Sequence, residues 1–427
     1  MDTTLVDEAS DNGIQTSSSS MVMDNDQVIK SGDAEVLDEE PRNLLLSLLS
    51  EVKIGMDLSR VPLPTFILEP RSLLEKFTDF MIHCDLLAGV SKLADPVERI
   101  YNITRWFVSS FAYKPAKGVK KPYNPILGEI FRSQWTYAGT TAYLVAEQIS
   151  HHPPVSCLYI SNRKDGYVIT GIINPRSKFT GTSLAVIVEG SITLHLPELN
   201  EQYVINFPNI YARGILFGTL LTEIAGNTQI TCQATNLKVE MDIKAKPWIG
   251  GEYNTMTGKI KRKSTDILYT FGGKWDDKLD ITNVKTKTTE VFWQCKSAKR
   301  TARYIRPLEE QEINESQRLW INVAKAIIRK DQKEATSEKI KLEDAQRQSV
   351  KDRKEKNIEW EPKYFHKVGD QWVYRYANFT PYDPSEPPEL ETNGIIHLSN
   401  LDSKATADVL APGIVQSGSN MSMVCRE

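Results

Sequence analysis

The sequence predicts a β-dominated α+β protein: a large, nearly closed antiparallel β-barrel, with helices before and after it. Three observations carry this. From about residue 120 to 300, apolar residues alternate with a period of two, the pattern of strands with one buried face. The segments are short, and turn signals such as Asp165-Gly166, Gly250-Gly251 and Gly272-Gly273 separate them, as in a long meander. Outside this window the spacing turns helical, at Val97–Ser110 and Glu315–Ile328. So many strands leave exposed edges unless the sheet curls shut, and a barrel this large encloses a central cavity that side chains alone do not fill.

Taken in order, residues 1–40 are rich in Asp, Ser and Asn and poor in aromatics, the composition of a disordered tail. The domain proper is expected over 41–385, in four parts: 41–62, 63–118, a barrel at 119–305, and a helical C-terminal part at 306–385. A variable tail occupies 386–427. Within the first part, Asn43–Glu51 is dense in leucine, too apolar for a helix lying free in water. Its Leu45, Leu48 and Leu49 must cover either the domain core or the mouth of a cavity. A hinge-like stretch at Lys53–Asp57 follows. Leu63–Ser72 reads as an extended apolar segment punctuated by prolines, leading into a helix at Leu73–Ile82. In the helix at Val97–Ser110, Ile100, Ile103, Trp106 and Phe107 recur at helical spacing.

Examples of the expected strands are Ile130–Thr136, Ala142–Ile149, Val155–Ile160, Tyr167–Ile173, Ser183–Leu196, Asn236–Ile243 and Leu268–Phe271. Beyond Arg306, Glu315–Ile328 places Leu319, Trp320, Val323, Ala326 and Ile327 on one helical face. A charged helix covers roughly Gln332–Glu355. The aromatic segment Trp360–Tyr376 is expected to pack back on the barrel.

Composition narrows the function. The 427 residues are 40% hydrophobic and 25% charged, ordinary globular values, with a net charge of −3. That balance gives no general pull toward nucleic acid or an anionic membrane. No run of about 20 apolar residues is present. The acidic, Ser-rich N-terminus is wrong for a secretory signal or a mitochondrial presequence. Cys84, Cys157, Cys232, Cys295 and Cys425 are odd in number, widely spaced and without a CxxC, which suits a reducing, cytoplasmic compartment. No HExxH, GxSxG or P-loop occurs, so neither an enzyme nor a metal or other cofactor is expected.

Three stretches carry chemistry. His151-His152 precedes Pro153-Pro154. The prolines remove two backbone donors and stop or bend a strand, so both imidazoles sit at a stiff strand end. Lys121 and Asn124 lie in Lys120–Glu129, where Pro122 and Pro125 flank Tyr123-Asn124 and hold the carboxamide on a rigid turn. Lys339, Glu343 and Arg347 recur every four residues and share one helix face, Glu343 between two cations. Together these groups make a donor-rich anion site suited to phosphates. Read singly, each has a plainer alternative: a structural histidine pair, a turn asparagine, a solvated helix face.

Glu147–Pro154 resembles the fingerprint of the oxysterol-binding-protein-related family, with isoleucine for valine at Ile149. Lys121–Glu129 resembles that family's second signature, and the spacing of Lys339, Glu343 and Arg347 its third. The resemblance spans about residues 40–385. It implies a non-enzymatic protein that extracts single lipids from membranes into a barrel beneath an N-terminal lid. Carried over by residue, Lys121, Asn124, His151, His152, Lys339, Glu343 and Arg347 would bind the headgroup of phosphatidylinositol 4-phosphate, and Leu45, Leu48 and Leu49 would belong to the lid. Leu63–Glu69 is similar to the segment of the phosphatidylserine-transporting branch. Leu63, Thr65, Ile67 and Ser177 would then contact phosphatidylserine. The implied activity is exchange of these two lipids between membranes, the alternatives being sterol exchange or a lipid sensor or scaffold. The implied location is cytoplasmic and peripheral at membrane contact sites of endoplasmic reticulum and plasma membrane. No nucleic acid is implied, and no protein partner is named by these residues. A pleckstrin-homology domain and an FFAT-like acidic motif are not recognised beside the barrel.

Overall fold

The alternating window folds as one curled sheet. The structure, a computed structural model, describes residues 53–56, 65–113, 119–215, 220–247 and 249–387. The 1–40 tail, the leucine-rich stretch with Leu45, Leu48 and Leu49, Leu63, and the chain beyond 387 lie outside the described residues. Two short strands, β1 (Leu68–Ser72) and β2 (Lys121–Tyr123), pair in parallel. Among the described residues the large sheet has fourteen strands. They are β3 (Ile130–Tyr137), β4 (Thr140–His151), β5 (Pro154–Asn162), β6 (Tyr167–Phe179), β7 (Leu184–Leu196), β8 (Glu201–Asn206), β9 (Asn209–Arg213), β10 (Leu221–Cys232), β11 (Leu237–Lys244), β12 (Thr255–Arg262), β13 (Asp266–Lys274), β14 (Lys278–Asn283), β15 (Thr289–Gln294) and β16 (Arg303–Tyr304). From β15 back to β3 the path is an antiparallel meander, β9 pairing to the side with β7 and β10. The path ends with β16 paired to β3, so residues 295–302 join one edge of the sheet to the other. The ring is nearly closed by the chain itself, which disposes of most of the edge problem.

Side-chain alternation sorts the residues. Leu144, Leu158, Ile160, Ile169, Ile192, Leu194, Tyr203 and Val239 point one way and form one apolar cluster with Ile103, Trp106 and Phe107. Those three lie on α2 (Pro96–Ser109), the second helix after α1 (Leu73–Lys76). α2 packs against β11 and β15. Asp95 caps it by accepting from Val97 N. Two buried ion pairs tie this N-terminal layer to the sheet: Arg99 with Glu201, and Arg303 with Glu75 at 2.8 Å.

The opposite face of β4–β6 is buried too. Val145, Tyr159 and Val168 pack on Tyr364, Phe365 and Tyr374, with Tyr159 stacked on Tyr374 at 4.5 Å. The aromatic segment therefore does pack back on the barrel. The C-terminal part is not wholly helical, however. Phe365–Val368 and Gln371–Tyr374 form a hairpin, β17 and β18, because Gly369 at φ 60° supplies the left-handed residue of a two-residue turn. The helix expected over Glu315–Ile328 breaks at Trp320 into α3 (Ser316–Leu319) and α4 (Ile321–Ile328). The segment expected as a helix over Leu73–Ile82 tightens after α1 into a 3₁₀ turn, Phe77–Met81. The charged helix, α5, spans Gln332–Glu355.

Two glycines should separate sharply on substitution. Gly190 on β7 has φ 102°, and a Cβ there would lie 2.0 Å from the Ile172 carbonyl oxygen, which belongs to the paired strand backbone. Gly190→Ala is expected to cost about 3 kcal/mol or more. A Cβ at Gly369 meets nothing within 4 Å, so Gly369→Ala should cost only about 1 kcal/mol. Urea unfolding of the two variants checks the contrast, and equal losses would refute it.

Candidate anion-binding site

The barrel ends where its prolines fall. His151 closes β4 and faces Pro154 at the start of β5, with His152-Pro153 as the turn between them. The His152–Pro153 peptide is cis. A bulge between Gln148 and Ser150 precedes the turn and re-aims the strand end. The two imidazoles are 4.5 Å apart, edge to face. They converge because the strand has stopped alternating. His151 Nδ1 lies 3.1 Å from the Pro125 carbonyl. Donation from that nitrogen leaves Nε2 for a ligand. Burial, then His152, lowers the His151 pKa, so the ring is uncharged at neutral pH. Ser156 on β5 faces Ile173 on β6, which puts Ser177 toward this same end of the sheet.

The Lys121–Glu129 turn reaches the histidines through Pro125. Lys121 Nζ donates to Asn124 Oδ1 at 2.6 Å. Burial, then the neighbouring charge of Lys339, pulls the Lys121 pKa down to about 8, with Glu343 pulling the other way. Glu343 also acts on His151. All three stretches therefore meet within electrostatic reach of one carboxylate. On α5, Lys339 bonds Glu343, and Arg347 reaches Glu343 at 3.6 Å while also pairing Asp344. Arg347 and His152 are exposed, whereas Lys339 and Glu343 are half-buried. The row of Lys339, Glu343 and Arg347 is more than a solvated face at its Lys339 end and remains exposed at Arg347.

What holds α5 against the turn is a second set of residues. Tyr123 stacks on Trp320 at 4.6 Å. Leu68, Tyr123, Trp320 and Val323 form a separate core, with Ile327 and Leu342 packed on it. At its centre Glu129 is fully enclosed. It accepts from Ser316 Oγ at 2.6 Å, Trp320 Nε1 at 2.8 Å, Ile126 N at 2.9 Å, and Ser72 Oγ. One carboxylate thus joins β1, the Lys121–Glu129 turn, α3 and the Trp320 junction. Sequence reasoning passed over it. The available signal was a carboxylate placed directly before a buried strand. Glu147 is likewise buried and accepts from the backbone N–H of Lys363 at 2.7 Å and of Tyr364 at 2.8 Å. It anchors the aromatic hairpin and makes no bond to either histidine.

The residues expected at a second lipid are placed as follows. Thr65 Oγ1 donates to Gln332 Oε1 at 2.6 Å and lies 3.2 Å from Thr336 Oγ1, tying its segment to the start of α5. Ile67 is buried. Ser177 is half-buried on β6, opposite Val186, on the same side as Ile173. Among the described residues no group of three His, Cys, Asp or Glu side chains could hold a metal ion, and no helix is long and apolar enough to cross a membrane.

Glu129→Ala should strand four donors in a closed core, at about 1–3 kcal/mol for each donor that finds no substitute partner. The expected outcome is a stability loss of several kcal/mol in urea, much larger than for Glu338→Ala on exposed α5. Equal losses would show that the hub is not needed.

The comparisons bear on this architecture. The oxysterol-binding protein family profile matches residues 47–382. Oxysterol-binding protein 4 of Dictyostelium discoideum is 62% identical over 375 residues, covering 85% of this chain and 80% of that protein. Human oxysterol-binding protein-related protein 8 is 44% identical over 372 residues, 85% of this chain but only 42% of that longer protein. Among solved structures, the Osh1 ORD domain in complex with cholesterol aligns with a TM-score of 0.64 at 23% identity, over 83% of this chain and 92% of that one. The Osh3 ORD of Saccharomyces cerevisiae in complex with PI(4)P aligns at 0.63 with 22% identity, over 82% and 92%. The last two establish the shared fold. With a profile match across most of its length and a 62% identical relative covered over 80% of its own length, the chain belongs to the oxysterol-binding protein family.

Proposed function

We propose that this protein moves single lipids between membranes, exchanging phosphatidylserine for phosphatidylinositol 4-phosphate in its barrel. The observation that carries the reading is the meeting of Lys121, His151, Lys339 and Glu343 at one end of the sheet. Asn124, His152 and Arg347 flank them. A phosphate monoester there would receive charged donors from the turn and the helix, and from the strand end once His151 takes up a proton at Nε2. The Osh3 relative was solved with PI(4)P, which agrees in chemistry with this arrangement. The serine lipid is assigned from the Leu63–Glu69 segment, with Leu63, Thr65, Ile67 and Ser177 as its contacts.

The physical case for a closed carrier is the cost of water. A two-chain phospholipid has on the order of 30 methylenes, and exposing them costs roughly 25 kcal/mol. A barrel with a sealed mouth removes most of that. The leucines Leu45, Leu48 and Leu49 suit a seal that offers apolar surface to a membrane when open. One cavity serving two headgroups makes their binding exclusive, and a phosphoinositide gradient then drives the serine lipid uphill.

Protonation gives a direct check. In the free protein both Lys121 and His151 have depressed pKa values. A bound phosphate raises both, so binding takes up protons, and affinity falls as pH rises. The Lys121 part of this loss sets in above about 8. Extraction of the phosphoinositide from vesicles should therefore weaken steadily between about pH 6 and pH 9. A flat profile would remove both groups from the site. Lys339→Ala should lower the same extraction about tenfold or more without changing the melting temperature by more than a few degrees. The exchange itself is tested with vesicles carrying phosphatidylserine, sterol or neither, with the phosphoinositide present or absent. Phosphatidylserine transfer that does not accelerate with the phosphoinositide would overturn the coupling. Transfer of sterol in its place would move the assignment to the sterol branch.

A further inference from the structure

One cavity is unused by this reading. It is about 260 Å³ and lies between the turn at His83–Leu86, α2 and the edge strand β15. His83, Asp85, Arg105, Trp293 and Lys299 are among its walls. It shares no residue with the Lys121, His151 and Lys339 cluster. Its size sits just below the roughly 300–1,000 Å³ of pockets for drug-sized ligands, so its occupant is small. We propose that it is a second anion-binding site, which takes a small oxyanion of the phosphate or phosphate-monoester class.

Two independent observations support this. The first is charge. Arg105 and Lys299 face the cavity, and Asp85 is the acidic wall residue, its Oδ1 already accepting from Thr301 Oγ1 at 3.1 Å. The second is a pair of unsatisfied atoms. His83 is 4% exposed, and its Nδ1 has no hydrogen-bond partner among the described residues; the same is true of the buried Arg105 Nε. Buried polar atoms in folded proteins are nearly always paired, and an orphan on a cavity wall points to a partner that enters from outside. A guanidinium with an open N–H, an ammonium and an imidazole nitrogen suit an oxygen-rich anion with a proton to share. The His83 ring is held edge to face against Trp293 at 4.8 Å, which fixes its orientation. Burial, then Arg300, lowers its pKa to about 4, against a bond to the Ser109 backbone. The ring therefore enters the site uncharged.

The test uses the full chain and inorganic phosphate, with calorimetry for affinity and the imidazole NMR signals of its six histidines for location. Phosphate should shift the His83 signal, and both Arg105→Gln and Lys299→Gln should weaken that binding by about tenfold. Lys339→Ala serves as the control for the lipid-headgroup site and should leave the His83 shift intact. Lys299 is exposed, so its variant carries the test even if Arg105→Gln fails to fold. Vesicles with and without phosphatidate distinguish the ligand's source. Lys299-dependent capture of phosphatidate vesicles without binding of free phosphate would mark a lipid headgroup, and the reverse a soluble anion. Phosphate affinity that is unchanged in Lys299→Gln, together with no Lys299-dependent vesicle capture, would overturn the site. So would a His83 signal that moves only when Lys339 is intact.

Discussion

The arrangement depends on one buried carboxylate. Among the described residues Glu129 accepts from no cation; four neutral donors from β1, the turn before β3, α3 and the Trp320 junction satisfy it. Burial raises its pKa, and those hydrogen bonds oppose the rise. Such a group is expensive unless every lone pair is answered. The answer dictates geometry: the segments bearing Ser72, Ile126, Ser316 and Trp320 must arrive together. Once they do, the Tyr123–Trp320 stack and Leu342 set α5 beside the Lys121 turn. Lys339 and Glu343 then stand where Lys121 and His151 feel them. The polar site at the surface is positioned by a polar hub beneath it.

The sheet supplies the other half of the frame. A meander of neighbour-paired strands with residues 295–302 bridging its two edges is nearly a ring. Its inward face merges with the N-terminal helices, while β4–β6 carry a second layer outside, the aromatic hairpin. Glu147 and Arg163 bolt that layer down from opposite ends. Glu147 takes the amides of Lys363 and Tyr364, and Arg163 donates to the carbonyls of Thr380 at 2.8 Å and Pro381 at 2.7 Å and pairs Glu386 at 2.8 Å. Glu147 thereby braces the strand that ends in His151 on its outer face.

Much of this was legible in the residues. Period-two alternation located β3 to β7, β11 and β13 because each has a buried face, and the expected bounds of α2 and α5 fell within a residue of the observed ones. Pro153-Pro154 announced the end of β4. The hairpin at β17–β18 was hidden because its aromatics answer to Val145, Tyr159 and Val168, more than 190 residues away, and not to a local period. The break at Trp320 was hidden for a similar reason: the indole leaves its helix to reach Glu129. The convergence of the three charged stretches followed from motif resemblance, whereas spacing alone left each with a bland alternative. Glu129 was missed because nothing in its own segment marks a carboxylate as buried.

The chain order of the site has a consequence for synthesis. Most strands of the large sheet pair with the strand just made, so the meander can assemble as it emerges, hairpin by hairpin. The anion site cannot. Lys121 and His151 leave the ribosome early, but Lys339 and Glu343 follow only after every strand of the ring, and β16 closes the sheet on β3 shortly before them. Until α5 docks on the Glu129 core, a nascent chain holds a turn lysine and two uncharged or exposed imidazoles with no partner helix. Under the proposed function, competence for a phosphorylated headgroup would therefore arrive only after the strands of the ring have been made.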